Sequence, residues 1–98
     1  MKTEHLIAIE EFCTHYQVES SFIYSLAEFE LIEVITIEET KYLSKDQIRD
    51  AEKMIRLHYD LDINIEGIQA IFHLLQRVDN LKDELGALRN KFKEDQNP

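Results

Sequence analysis

The chain has 98 residues, enough for one domain that buries a core without a disulfide or a structural metal. Its formal charge is −9, from 20 acidic and 11 basic residues, which argues against nucleic acid and anionic lipid as partners. No apolar run approaches the roughly 20 residues of a membrane span, and a single cysteine fits a reducing compartment, so we expect a cytoplasmic protein.

The first predicted elements are a short strand and two helices that together form a helix-turn-helix. Residues 3–9 alternate loosely and predict a strand or an extended lead-in. Apolar residues then recur at helical spacing over 9–16 and 20–30, with a break near Gln17 and a candidate N-cap at Ser20. Such a pair of short helices is the unit that DNA-binding proteins place against a groove.

The charge of this helix-turn-helix is opposite to that of a DNA-binding protein. No lysine or arginine stands between Lys2 and Lys41. Residues 1–40 contain nine glutamates, whereas residues 41–98 contain ten basic and eleven acidic residues. An acidic field of this kind repels phosphate and attracts basic partners. The residues that we expect to contribute to a partner-binding surface are Glu10, Glu11, Glu28, Glu30 and Glu33.

A small hairpin and a third helix follow. Over 33–43 the pattern changes to β-branched residues at period two, which predicts a hairpin wing with residues 38–40 at its tip. The tip carries two glutamates where a wing that gripped DNA would carry arginine or lysine. The sequence SKDQ at 44–47 predicts a capping box that starts a helix at Lys45, ending near 59–61.

The last predicted element is a long helix with an apolar seam. Asn64 is a candidate cap, with Gly67 in the first turn. The apolar positions follow the three-and-four spacing of a heptad, with one short step from Val78 to Leu81. That slip predicts a kink or a helix boundary near 79–80. The far end either folds back or meets another chain, and we expect a homodimer. The residues expected at its seam are Leu81, Leu85, Leu88 and Phe92.

Together these elements predict a single, mainly α domain over residues 1–98. Residues 1–62 would form a winged helix-turn-helix with a small β-hairpin wing. Residues 63–94 would add a C-terminal helix or helix pair, in the form of a coiled coil if two chains meet. Residues 95–98 would be a frayed tail.

Candidate chemical groups in the sequence do not converge on a site. Cys13 falls among apolar residues of the first helix and is predicted to be a buried small hydrophobe. The four histidines lie far apart without the spacing of metal ligands. Adjacent acids such as Glu10 and Glu11 point about 100° apart on a helix. We therefore predict no catalytic residue, no cofactor site and no metal site, and a protein that is not an enzyme.

The first half of the chain resembles the MerR-type winged helix. The apolar positions that match its pattern are Ile9, Phe12, Cys13, Val18, Ile23, Leu31 and Ile32, and the segment over residues 44–71 continues it. On the second helix, where DNA-binding members usually carry basic and aromatic residues, this chain has Ser21, Tyr24, Ser25 and Glu28. At the turns, Gln17 and Glu30 stand where those members carry glycine.

A branch that keeps this scaffold without the DNA-binding residues is the chaperone modulator family CbpM, which the chain resembles over nearly its full length. The resemblance lies in IEEFC and the following histidine over 9–15, in DLDINIEGI over 60–68, and in LLQRVDNLKDELGALR over 74–89. It implies a protein that binds the J-domain of a CbpA/DnaJ-like co-chaperone. Binding would inhibit that co-chaperone by occluding its contact with a DnaK-type chaperone.

Two other functions are compatible with the sequence. One is a MerR-like DNA-binding transcription regulator, although the available bases lie on the hairpin end and the third helix, interleaved with acids. The other is an interaction module for a different basic protein. The acidic surface also has a second interpretation, as a solvated face that leaves the partner to dock on the later helices.

Overall fold

A computed structural model describes residues 4–96, and the side chains of residues 4–93. Over these residues the chain forms four α-helices and a three-stranded sheet. The elements are β1 (Leu6–Ala8), α1 (Ile9–Tyr16), α2 (Ser20–Glu28), β2 (Ile35–Ile37), β3 (Thr40–Ser44), a 3₁₀ turn (Lys45–Gln47), α3 (Ile48–Tyr59) and α4 (Ile65–Gln96). The predicted fold class, mainly α with a small hairpin wing and a long C-terminal helix, is confirmed.

The sheet joins the start of the chain to the wing. Its strand order is β1-β3-β2, and both pairings are antiparallel. The central strand β3 pairs Leu43 with Ile7 on one side, and its Tyr42 lies opposite Ile35 on the other. Leu43 is fully buried, so the sheet covers one side of the core. The extended lead-in predicted over 3–9 corresponds to β1, and residue 3 lies outside the described residues.

The wing turns on two residues in the left-handed backbone region. Glu38 has φ 47° and Glu39 has φ 69°, and Thr40 already belongs to β3. A two-residue hairpin loop needs positive φ at both central positions when it forms a type I′ turn, which is why Asn-Gly is common there. Glutamates tolerate this conformation at about 1 kcal/mol or more each. The acidic tip is therefore held at a conformational cost.

The core lies between the helix-turn-helix, β3, α3 and the first turns of α4. Every fully buried side chain in the described part of the chain is apolar. The buried residues are Ile9, Phe12, Cys13, Phe22, Ile23, Leu26, Ile32, Leu43, Ala51, Met54 and Ile68. The prediction that Cys13 is a buried hydrophobe is confirmed, since it is 7% exposed and burial raises the pKa of its thiol.

The capping box predicted over residues 44–47 does not form. Residues 45–47 make a single 3₁₀ turn before α3, and Ser44 makes no side-chain cap bond. Its hydroxyl donates instead to the carboxylate of Asp46, since a charged acceptor two residues away competes well with a backbone donor. Gln47 does reach back to Ser44 Oγ, at 3.0 Å, but its main contacts are with the loop after α2.

The last helix extends well beyond the body of the protein. At about 1.5 Å per residue its 32 residues span roughly 48 Å. The radius of gyration is 18.1 Å, against about 13 Å for a compact chain of this length. Ile68 is buried and Phe72 is half-buried, but nearly every residue from His73 to Lys93 is exposed. The helix does not fold back.

The boundary expected near residues 79–80 is absent, because the helix continues through both positions. A slip in a heptad seam distorts a helix only when a partner helix fixes the seam, and a single helix follows its own backbone bonds. The helix also includes Asp95 and Gln96, which the sequence assigned to a frayed tail, while residues 97 and 98 lie outside the described residues.

The predicted cap of α4 is confirmed and yields a test with two glycines. The Gly67 N–H donates to Asn64 Oδ1 at 2.8 Å. A Cβ on Gly67 would lie 2.7 Å from Ile63 Cγ2, whereas a Cβ on Gly86 meets nothing within 4 Å.

We expect Gly86→Ala to stabilise the C-terminal half of α4 by about 1 kcal/mol when that half is paired in the expected homodimer, because this is the helix propensity difference between the two residues. Gly67→Ala should gain the same propensity but lose more through displacement of the branched Ile63 side chain, and so destabilise. Urea unfolding of both variants measures the contrast, and two changes of the same sign would contradict this account of the cap.

Candidate partner-binding site

All five acidic residues predicted to form a partner-binding surface are exposed. Glu10 and Glu11 lie in the first turn of α1, and Glu28 is the last residue of α2. Glu30 and Glu33 belong to the loop over residues 29–34 that leads from α2 to the wing. The positions are thus distributed over one helix start, one helix end and one loop.

The loop over residues 29–34, here called the 29–34 loop, begins with a Schellman motif. The Leu31 N–H donates to Leu26 O at 3.0 Å, and the Glu30 N–H donates to Ala27 O at 3.0 Å. Glu30 takes the left-handed conformation, with φ 59°, at the position where this motif usually has glycine. The backbone therefore holds a glutamate where a glycine would be less strained.

Side chains from two other elements fasten the 29–34 loop. Gln47 accepts from the Glu33 N–H at 2.7 Å and donates to Glu33 O at 3.0 Å. From α4, Gln69 donates to Phe29 O at 3.3 Å. Since both ends are bonded, the loop is held in place before any partner arrives.

Two open grooves flank the ridge formed by Glu30 and Leu31. The first groove is about 570 Å³ and is lined by Ala27, Glu30, Leu31, Ile32, Glu33, Val34 and Gln47. The second groove is about 360 Å³ and is lined by Phe29, Glu30, Leu31, Asp50, Gln69, Phe72, His73 and Gln76. The structure thus brings together parts of α2, the 29–34 loop, α3 and α4.

The chemistry of the two grooves is acidic at the rim and apolar at the floor. Glu30, Glu33 and Asp50 are exposed carboxylates, while Ala27, Val34 and Phe72 are half-buried. Among the residues that line the grooves there is no lysine or arginine to neutralise these carboxylates. Such a surface favours a partner that combines apolar side chains with positive charge.

Glu10 belongs to a different place. It lines a cleft of about 270 Å³ with Tyr24 from α2 and with Glu39 and Lys41 from the wing. Lys41 Nζ lies 4.7 Å from the centre of the Tyr24 ring, within the range of a cation–π contact. Glu11 and Glu28 line neither this cleft nor the two grooves. The five predicted acids are therefore not one cluster.

The helix α2 occupies the position of the recognition helix in a DNA-binding helix-turn-helix, but its exposed side lacks the basic residues of such a helix. Ser21 and Glu28 are exposed, and Tyr24 is half-buried beneath Lys41. No basic residue lies anywhere in α2. A helix that binds a DNA groove needs lysine or arginine for the phosphates, and bidentate donors for the bases.

Comparison with known proteins identifies the scaffold. A family profile described as MerR HTH family regulatory protein matches residues 7–90 of the 98-residue chain. The chain belongs to the MerR HTH family. The resemblance of the sequence to the MerR-type winged helix is thus confirmed as to scaffold and regulatory class. No curated protein and no solved structure matched the sequence.

This member of the MerR HTH family leaves the apolar seam of α4 uncovered. The four residues predicted for a dimer seam are 60%, 50%, 65% and 62% exposed, in the order Leu81, Leu85, Leu88 and Phe92. Leu74, Leu75 and Val78 extend the exposed apolar surface toward the body. Contiguous exposed apolar surface of this kind is typical of an interaction site. The seam residues are accessible to a second copy, and the dimer stays a prediction.

Sequence reasoning missed several residues of the grooves. Asp50 lies on α3, twenty positions beyond Glu30, and only the tertiary fold brings the two to one groove. Gln47 was assigned to a capping box, although its amide binds the backbone of Glu33. The sequence did contain one signal. Gln47 is an uncharged amide among charged residues, and such an amide can bind backbone groups as well as cap a helix.

The described part of this MerR HTH family member contains neither a membrane-spanning helix nor a cluster of metal-binding side chains. Between residues 4 and 96 no helix is both long and apolar enough to cross a membrane. Within the same residues, His, Cys, Asp and Glu side chains do not gather in groups of three or more that could hold a metal ion.

Glu30→Gly should raise stability and lower partner affinity at the same time. Glycine removes the strain of φ 59°, and we expect a gain of about 0.5–1 kcal/mol after the added freedom of the unfolded chain is subtracted. Urea unfolding with an unchanged m-value measures this gain. Glu28→Gly is the control, since it also removes a carboxylate but lies at the helical end of α2, where glycine is less favourable than glutamate. Lower stability of Glu30→Gly would contradict the strain argument.

Proposed function

We propose that this chain is a chaperone modulator that binds the J-domain of a CbpA/DnaJ-like co-chaperone and inhibits its stimulation of a DnaK-type chaperone. The proposal combines the regulatory family of the scaffold with the resemblance to CbpM in three segments. It accounts for a helix-turn-helix whose charge is opposite to that of a DNA-binding protein.

The observation that carries the proposal is the acidic rim over an apolar floor at the 29–34 loop. Glu30, Glu33 and Asp50 surround half-buried apolar residues, and the loop is fastened by Gln47 and Gln69. The face of a J-domain that contacts its chaperone is expected to be basic. Complementary charge would set the association rate and the choice of partner, and the apolar floor would supply affinity.

Inhibition follows from competition for one surface of the J-domain. A chain that covers the basic face prevents the same face from contacting the chaperone. The modulator needs no catalytic group, and occupancy alone sets the degree of inhibition. We also propose that the modulator is a homodimer joined through the α4 helices, because the seam that includes Leu85 and Leu88 is left exposed by the chain's own body.

The test is a titration of the chain with the isolated J-domain of a CbpA-like protein, at low and at high salt. We expect saturable binding at micromolar or lower concentration that weakens as salt rises, because exposed charges contribute to it. In parallel, ATP hydrolysis by the DnaK-type chaperone should lose its stimulation by the full co-chaperone as the modulator is added.

A titration with duplex DNA distinguishes the proposed function from the main alternative, a DNA-binding regulator, which is compatible with membership of the MerR HTH family. A MerR-like transcription regulator would bind DNA with a steep loss of affinity as salt rises. DNA binding without J-domain binding would replace the proposal with that function. Absence of both would point to an interaction module for another basic protein.

A further inference from the structure

The two grooves beside the 29–34 loop share one ridge, and this arrangement restricts what can bind there. Glu30 and Leu31 line both grooves, with Ala27 and Val34 on one side and Phe72 on the other. An occupant that fills both grooves must therefore present apolar side chains on either side of Leu31. Successive turns of one helix can present apolar side chains in this way, at i, i+3 or i+4, and i+7.

Much of the backbone of the loop is already hydrogen-bonded within the chain. Glu33 uses both its N–H and its carbonyl with Gln47, and Phe29 O accepts from Gln69. The N–H groups of Glu30 and Leu31 are bonded within the Schellman motif. A partner strand would find these five backbone groups already satisfied, which favours docking through side chains.

The charge around the grooves sets the chemistry of that helix. Glu33 lies at the first groove, Asp50 lies at the second, and Glu30 lies between them. None of these carboxylates is matched by a lysine or arginine among the groove-lining residues. A helix with lysine or arginine on both flanks of its apolar stripe would neutralise all three while its stripe covers Leu31.

We infer that the occupant is one basic amphipathic helix of the partner, laid across Leu31 with an apolar side chain in each groove and basic residues toward Glu33 and Asp50. The inference rests on the proposed function for its partner, the J-domain, and it assigns the contact to these grooves. The cleft that holds Glu10 and Glu39 is outside the contact. Asp50, Ala27 and Phe72 become part of the binding surface.

The test compares two pairs of charge reversals that change the net charge equally. The groove pair is Glu33→Lys with Asp50→Lys, and the control pair is Glu10→Lys with Glu39→Lys, all at exposed positions. Titration with the isolated J-domain at low salt should show at least about tenfold weaker binding for the groove pair than for the control pair. Equal weakening by both pairs would overturn the inference, because long-range charge alone would then explain it.

A second variant tests the apolar floor without a change in charge. Ala27→Met places a longer side chain into the first groove. If circular dichroism shows an intact fold, we expect binding to weaken by about tenfold, and unchanged affinity would overturn the inference. Should the reversal of Asp50 disturb the first turn of α3, Glu33→Gln with Asp50→Asn replaces the groove pair, against Glu10→Gln with Glu39→Gln.

Failure of the proposed function is distinguished by a second probe. If the unaltered chain binds no J-domain at either salt concentration, the proposed function is rejected. The groove is then titrated with a synthetic helical peptide that has a leucine stripe flanked by lysines. Weaker binding of this peptide by the groove pair than by the control pair supports the inference, and equal affinity of both pairs for the peptide overturns it.

Discussion

Replacing Leu85 and Leu88 with aspartate is expected to leave the chain monomeric at concentrations where the proposed dimer of the unaltered chain would form. Both leucines are at least half exposed, so the substitutions remove no packing within one chain. In a dimer they would place charges in an apolar seam, where an unpaired carboxylate is strongly unfavourable. We expect dissociation to become at least a thousandfold easier, which corresponds to about 4 kcal/mol.

The positions of the seam residues favour an antiparallel pair of helices. About a centre at residue 83, Leu81 would lie opposite Leu85 of a second copy and Val78 opposite Leu88. The same arrangement would set Leu74 opposite Phe92, so that six of the seven large apolar residues exposed on α4 would meet another, while Leu75 would face Lys91. A two-fold contact of this kind is self-complementary and closes at two copies.

Analytical ultracentrifugation of the double variant measures the predicted change. The control is Ala87→Asp with Asn90→Asp, which adds the same number of aspartates to exposed positions away from the seam. The control should remain dimeric. If the seam variant kept the mass of a dimer, another surface would have to hold the two copies together.

Phe12→Ala is expected to cost about 3–5 kcal/mol of unfolding free energy. Phe12 is 0% exposed, and its ring centre lies 4.6 Å from that of Tyr16. Removing the ring leaves a cavity in the buried core, whose residues belong to elements held by their own backbone bonds, so the cavity closes only in part. A domain of this size has a total stability of about 5–15 kcal/mol, so the loss is a large part of it.

Phe92→Ala is the matched control, because Phe92 is 62% exposed. Both variants should be made in the monomeric background with Leu85 and Leu88 replaced, so that the dimer does not contribute to the measurement. We expect a change within about 0.5 kcal/mol for Phe92→Ala, as for other surface substitutions. Similar losses from the two variants in urea unfolding would contradict the assignment of Phe12 to the core.

Most of the fold follows from local signals in the sequence. The apolar spacing of α1 and the Asn64 cap each report on neighbouring residues, and the structure confirms both. The capping box at Ser44 was wrong because Asp46, inside the segment, and Glu33, outside it, compete for the side chains of Ser44 and Gln47. The helix boundary predicted near residue 79 was wrong. Heptad spacing describes a contact between two helices, so a slip in that spacing does not mark the end of one helix.

The candidate site was less accessible to sequence reasoning. Net charge correctly indicated exposed acids in the first half of the chain, and all five named glutamates are exposed. Their grouping depends on tertiary structure, which separates Glu10 from Glu33 and brings Asp50 beside Glu30. Charge therefore leads only to the prediction of a basic partner, which stays a prediction, while the shape of the proposed binding surface required the fold.

The length of α4 also bears on how long the free chain survives. Beyond Val78 the helix has no body to pack against, and an isolated helix of about 15 residues is marginal in water. In a monomer this half should open locally with a free energy near zero, and its amide hydrogens should exchange rapidly. Pairing through Leu81 and Leu88 would close it. Proteases would then remove dilute, unpaired chains first, so that the cellular amount of this protein would respond steeply to its rate of synthesis.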